Sequence, residues 1–242
     1  MQERMKNESG FTLVEAILAL FTGCLVLMAI YSAINSVQGS ANWIENKVTA
    51  QQDTRSAMEL MAMEIQMASY NPTSQSSIWV VGQNDCVDSA LNQNWKGIQE
   101  AGANSMTVEM DINGNGAIIG ANNDPNEVIR YAYDQTNQYI TRQVNCGAAL
   151  PFLGATTANA ITQTVLVVNG TAGMAGIPVF TYWDGQNNQL TAPVTTNIPN
   201  IRRIEITIVT QQSNKDIGTG GQRQIIYTTS VVPRNHADVL AY

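Results

Sequence analysis

A carboxylate, Glu15, sits just inside the longest apolar stretch of the chain, and from Ala16 to Ile44 there is no Asp, Glu, Lys or Arg. A lone ionised acid in hydrocarbon is costly, so Glu15 calls for a cation or a watery boundary. A second constellation is Asp111-Ile112-Asn113-Gly114-Asn115-Gly116. Oxygen-bearing side chains at alternate positions, followed by Gly, resemble the first half of an EF-hand calcium loop. The twelfth position is Asn122 rather than the bidentate Glu of the full motif, with Asp124 or Glu127 nearby. The candidate calcium ligands are thus Asp111, Asn113, Asn115 and Asp124. The alternative, and the favoured one, is a polar turn between SMTVEMD and AIIG, because Asn-Gly pairs suit tight turns.

The remaining reactive side chains are few. There are three Cys and one His in 242 residues. Cys24 lies in the apolar run; Cys86 and Cys146 lie in the polar remainder and pair as a disulfide if that part is exported. No CxxC or HxxxH spacing offers a zinc site. His236, the one imidazole, sits near the C-terminus, away from any GxSxG, P-loop or HExxH pattern. Nucleophilic catalysis needs a base beside Ser or Cys. The chain therefore reads as a protein that is not an enzyme, with no resident cofactor apart from the calcium candidate.

Composition agrees with a protein that acts through surfaces. Twelve basic against nineteen acidic residues give −7, which excludes phosphate-driven nucleic-acid binding as the main business. Only 13% of residues are charged, against about 25% in ordinary soluble domains.

These side chains must be positioned by two kinds of element. Phe11 to about Ile34 is long enough to cross a bilayer as a helix, which takes about 20 apolar residues. No Pro interrupts the chain from Met1 to Asn71, and Ile44, Val48, Met58, Met61, Ile65 and Ala68 keep a 3–4 rhythm. One helix of about 60 residues is expected from Phe11 to about Tyr70, ending before Pro72. Its first half suits lipid; its second half is amphipathic. Met58, Met61, Met63 and Met67 read as core beneath a sheet rather than as a promiscuous groove.

The segment Gly10-Phe11-Thr12-Leu13-Val14-Glu15 resembles the prepilin cleavage and methylation motif of type IV pilins and type II secretion pseudopilins. The resemblance implies that a prepilin peptidase cuts between Gly10 and Phe11 and methylates Phe11. It also implies that Glu15, now fifth in the mature chain, neutralises the N-terminal ammonium of a neighbouring subunit. A solvated Glu15 at the headgroup boundary is the simpler alternative. AQQDTRSAMELMAMEIQMASYNP and the closing Thr228–Asn235, TTSVVPRN, further resemble PilW-type minor pilins, with Ala68-Ser69-Tyr70 where that group has Ala-Gly-Tyr.

From residue 71 the helical rhythm gives way to β-branched alternation. Ile204, Ile206 and Ile208 share one face of Ile201–Thr210, and Gln224–Val232 reads as its antiparallel partner. Glu127–Asp134 and Gln138–Val144 read as a hairpin about Gln135-Thr136-Asn137. TVLVVN and IPVFTYW add two more strands. The expected fold is α+β: a long N-terminal helix packed on one antiparallel β-sheet, which is also the pilin architecture. The expected division is a leader at 1–10, a transmembrane and assembly half at 11–34, an amphipathic half at 35–70 and an exported β-rich domain at 71–242.

The function implied by the resemblance is that of a minor pilin, cleaved, methylated and built into a type IV pilus or its initiating tip complex. Its partners would be the prepilin peptidase, other major and minor pilins, the pilus assembly machinery and the inner membrane. It would cross that membrane once, with its C-terminal domain in the periplasm and later on the pilus. Two alternatives stay open. One is a minor pseudopilin of type II secretion. The other is a tip adhesin or anchored binding module using Tyr131, Tyr133, Trp183 and Trp79.

Overall fold

A computed structural model describes residues 10–75, 78–79, 96–118, 126–154, 165–171, 174–212 and 224–236. Helix α1 spans Leu13–Gln66, 54 residues, or roughly 80 Å at 1.5 Å per residue. Thr12 starts it. The Thr12 carbonyl accepts from Ala16 N at 3.1 Å, and Thr12 Oγ1 accepts from Glu15 N at 3.3 Å, an N-cap arrangement. The helix stops four residues short of the expected Tyr70. Ser69 takes a left-handed φ of 67°, the conformation that commonly ends a helix. Ser69 N then donates to Glu109 O at 2.9 Å, which diverts the chain into the sheet. Gly97 makes this close approach feasible: a Cβ there would lie 2.2 Å from Ser69 N, and its φ is +65°.

The chain divides into two compact units, Met1–Glu45 and Asn46–Tyr242, so the boundary falls inside α1. In the first unit every residue from Gly10 to Gln38 is exposed. The segment is long and apolar enough to cross a membrane. Thr22 Oγ1 in this segment donates to Leu18 O at 2.9 Å, bonding within the helix.

In the second unit burial along α1 begins at Ala50. Met58, Met61, Ile65 and Ala68 are buried, as the 3–4 rhythm predicts, while Ile44 and Val48 stay exposed and Met63 points outward. Ten strands follow. They are β1 Ile98–Ala101, β2 Ser105–Glu109, β3 Val128–Asp134, β4 Tyr139–Val144, β5 Leu150–Leu153, β6 Val165–Val167, β7 Phe180–Trp183, β8 Gln189–Leu190, β9 Arg203–Gln212 and β10 Gln224–Val231. They form two antiparallel sheets rather than the single one expected. The first is a meander in the order β1-β2-β3-β4-β5. The second runs β10-β9-β7-β8, with β6 also pairing β9. The long pairs are those the alternation predicted: β3 with β4, and β9 with β10.

One core serves the helix and both sheets. Met61 and Ile65 of α1, Ile129 and Tyr131 of β3, and Ile204, Ile206 and Ile208 of β9 belong to the same buried cluster. Fully burying such a side chain contributes about 1.5–3 kcal/mol each. A smaller cluster joins Ile78, Ile118 and Val128, with Trp79 and Cys146 against it.

Candidate functional site

The N-terminal motif starts before the helix and runs into its first turn. Gly10, Phe11 and Thr12 precede α1, and Gly10 and Phe11 are exposed. A Cβ at Gly10 would meet nothing within 4 Å. The Gly10–Phe11 bond is thus a non-helical peptide in the open, a conformation a peptidase needs. Glu15 sits in the first turn of α1, where the N–H ends of the helix favour an anion. It is exposed, and among the described residues no cation lies within ion-pair distance. The carboxylate is therefore available to a group from outside the described chain.

The Asp111 loop is built differently. Asp111 is buried, and its two carboxylate oxygens accept from Gly114 N at 2.7 Å and Gly116 N at 3.0 Å. Asn113 Oδ1 accepts from Asn115 N, and Asn115 Oδ1 from Ala117 N, each at 2.8 Å. Glu127 Oε1 accepts from Ile112 N at 3.2 Å. The Asp111, Asn113 and Asn115 oxygens named here already bind amides of their own turn, which is how short polar side chains hold turns together. Gly114 and Gly116 supply the positive φ such a turn needs. Asp124 lies outside the described residues. Among the described residues no three His, Cys, Asp or Glu side chains converge as a metal cage.

Of the cysteines, Cys24 is a free, exposed thiol in the apolar segment. Cys146 is in a disulfide, and Cys86 lies outside the described residues.

Three buried polar clusters escaped the sequence. Glu64, on the sheet-facing side of α1, takes Arg142 Nη2 at 2.6 Å and Arg142 Nε at 3.2 Å, and accepts from the Tyr131 hydroxyl. Burial, then the Glu64 carboxylate, pushes the Tyr131 hydroxyl well above the ordinary tyrosine range. Tyr131 faces Arg142 across the β3–β4 register, so the hairpin places both donors together. The legible signal was an acid beside the Met58, Met61 and Ile65 stripe. In the second cluster Glu100 receives Arg130 Nε at 2.8 Å, Thr107 Oγ1 at 2.9 Å and the Ser105 hydroxyl.

The third is His236, only 2% exposed despite its place near the chain end. Its Nδ1 lies 2.8 Å from Lys96 O and 3.0 Å from Ser69 Oγ, and its Nε2 lies 2.8 Å from Ile198 O. Burial lowers its basicity and the Arg202 and Lys96 charges lower it further, against the two carbonyl contacts. No sequence pattern marks it, because its three partners lie in distant segments.

The aromatic residues suggested for a binding face are mostly spent inside. Tyr131 is core, and Tyr133 donates to Val167 O at 2.9 Å, with burial pushing its hydroxyl up to about 12. Trp183 carries the Arg203 guanidinium 4.5 Å above its ring, and Trp79 packs on the small cluster. A polar hollow of about 420 Å³ lies beside Asp184, Asn197 and Arg202. The Asp184 carboxylate there is held by Gln186 N, Asn188 N and Asn188 Nδ2, and Arg202 Nη1 by Pro199 O. Comparison of the chain with protein-family models, with curated proteins and with solved structures finds no match.

Proposed function

We propose that this protein is a minor type IV pilin, cut between Gly10 and Phe11, methylated on Phe11 and built into a pilus or its initiating complex. The observation that carries this reading is a coincidence of motif and placement. Gly10-Phe11-Thr12-Leu13-Val14-Glu15 matches the prepilin pattern. It sits in an accessible segment leading into a helix that is uncharged from Ala16 to Ile44 and exposed as far as Gln38, in a chain whose later part is β-rich. In this account the exposed half of α1 serves first as an inner-membrane anchor and then as a fibre core. Glu15 meets the ammonium of a neighbour's Phe11, which makes one axial register better than its alternatives. The β-rich unit selects partners in the periplasm and on the fibre. Calcium has no part in this account, and the Asp111 loop serves as a turn.

The test is the mass of the native N-terminal peptide, taken separately from membranes and from sheared fibres. A peptide beginning at methylated Phe11 in both fractions is the expected result. The same peptide confined to membranes would favour a type II secretion pseudopilin, which shares the anchor motif. An intact Met1 start in every fraction would sink both readings.

A further inference from the structure

Among the described residues, strand β10 has one paired side and one open side. It pairs with β9 continuously from Gln224↔Gln211 to Val231↔Ile204, without a bulge. On β9, Thr207 N donates to Val179 O at 2.9 Å and Val209 O accepts from Val168 N at 2.8 Å. The odd residues of β9 thus spend their backbone groups on the side away from β10. Strand alternation turns its even residues, Ile204 to Thr210, toward Val231, Thr229, Tyr227 and Ile225. It follows that Ile226, Thr228 and Ser230 direct their N–H and C=O groups away from β9. Among the described residues no strand takes them up.

Proteins blunt long edges with Pro, charge, bulges or short length. The other edges here follow that rule. β5 is four residues long and contains Pro151, β8 has two residues, and β1 is bridged at Ala101, whose carbonyl accepts from Val194 N at 2.8 Å. β10 breaks it, with eight residues and no Pro, Gly or charge. Ile226 on its outer face is 52% exposed.

Beside this strand lies a trough against α1, with hollows of about 290 and 450 Å³. Arg55, Glu59 and Arg234 line these two hollows, and Lys47 lines a third, smaller one by Ile225. Three cations against one anion is the reverse of the chain's balance of −7. A second copy's β10 brings no acid to this rim and sets like charges face to face.

We propose that the open side of β10 accepts, as an added strand, an extended segment of a partner protein that bears acidic residues. The main-chain groups of Ile226, Thr228 and Ser230 supply the affinity; the cationic rim supplies the preference. The inference rests on the strand and not on the pilus reading, and its test needs no fibre.

The test uses the full chain in detergent micelles and a capped synthetic peptide, Asp-Val-Thr-Val-Thr-Val-Thr-Asp, beside a copy with Lys at both ends. Amide hydrogen exchange is followed at Ile226, Thr228 and Ser230. The acid-ended probe should slow exchange at all three by roughly tenfold or more, and the Lys-ended probe should bind roughly tenfold more weakly. Thr228→Pro removes an outward N–H while leaving the β9 ladder intact, and should abolish the protection. Should that variant misfold, Arg55→Glu with Arg234→Glu decides instead, by reversing the preference between probes. Unchanged exchange at about 1 mM acid-ended probe would overturn the proposal. So would self-association through β10 that excludes the probe, because the occupant would then be a second copy.

Discussion

Glu15 and Glu64 are two acids on one helix, and they meet opposite fates. Glu64 is nearly buried, and the chain itself surrounds it with the Arg142 guanidinium and the Tyr131 hydroxyl. Glu15 is exposed among apolar side chains, and the described chain brings it no cation. An uncompensated buried charge costs far more than a paired one, so the fold completes the first acid before it closes. Glu15 stays open because nothing in the β-rich unit depends on it. The contrast separates an acid that the fold completes from one that the described residues leave open.

The sharpest way to break the contrast is to empty the core beneath the helix. Met61→Ala should cost about 3–4 kcal/mol, whereas Leu20→Ala in the exposed half should cost under about 0.5 kcal/mol. Denaturant unfolding of the β-rich unit reads both, and equal losses would mean that the two halves of α1 are not distinct.

Next comes the acid pair itself. Arg142→Ala leaves Glu64 without its cation and should cost about 3 kcal/mol, at the low end for a buried pair because Arg142 is 21% exposed at its side chain. The melting temperature should fall by roughly 6–12 °C. Glu15→Ala should leave melting within about 1 °C while incorporation into fibres drops roughly tenfold, with cleavage unaffected. A folding defect in that variant would erase the distinction between the two acids.

A smaller effect concerns His236. Burial holds its folded pKa below the ordinary value near 6.5, so the unfolded chain binds the proton more readily. Stability is therefore complete above about pH 6.5 and is lost as pH falls below it. His236→Gln should flatten that slope in a pH series of melts. The smallest effect belongs to the Asp111 loop. Calcium at about 1 mM should give no heat and no shift in melting, because the loop's oxygens already bind its amides.

Much of the fold was legible where the pattern is local. The 3–4 rhythm of Met58, Met61, Ile65 and Ala68 placed the buried stripe, and the alternation of Ile204, Ile206 and Ile208 placed β9 and its partner. The pattern failed where the outcome depends on distant chain. Ile44 and Val48 continue the rhythm, yet they stay exposed because burial along α1 starts only at Ala50. The division into two sheets followed from pairing choices such as β7 with β9, which no periodicity encodes. At the candidate site, the Gly10–Glu15 motif was readable because its residues are consecutive. Glu64 went unread, since its partners Tyr131 and Arg142 are brought together only by a hairpin register. His236 was invisible, since Ser69, Lys96 and Ile198 reach it from three separate segments.

That last contact also sets an order in time. Ser69 and His236 lie 167 positions apart, so a ribosome delivers His236 long after Ser69. The meander of β1 to β5 can close while the chain is still emerging, because its pairings are between neighbours. The turn that ends α1 must wait with its hydroxyl until the segment carrying His236 arrives. A truncated product stopped after β9 would keep most of its secondary structure and lack this closure. The imidazole thus ties the end of the helix to a segment made after every described strand.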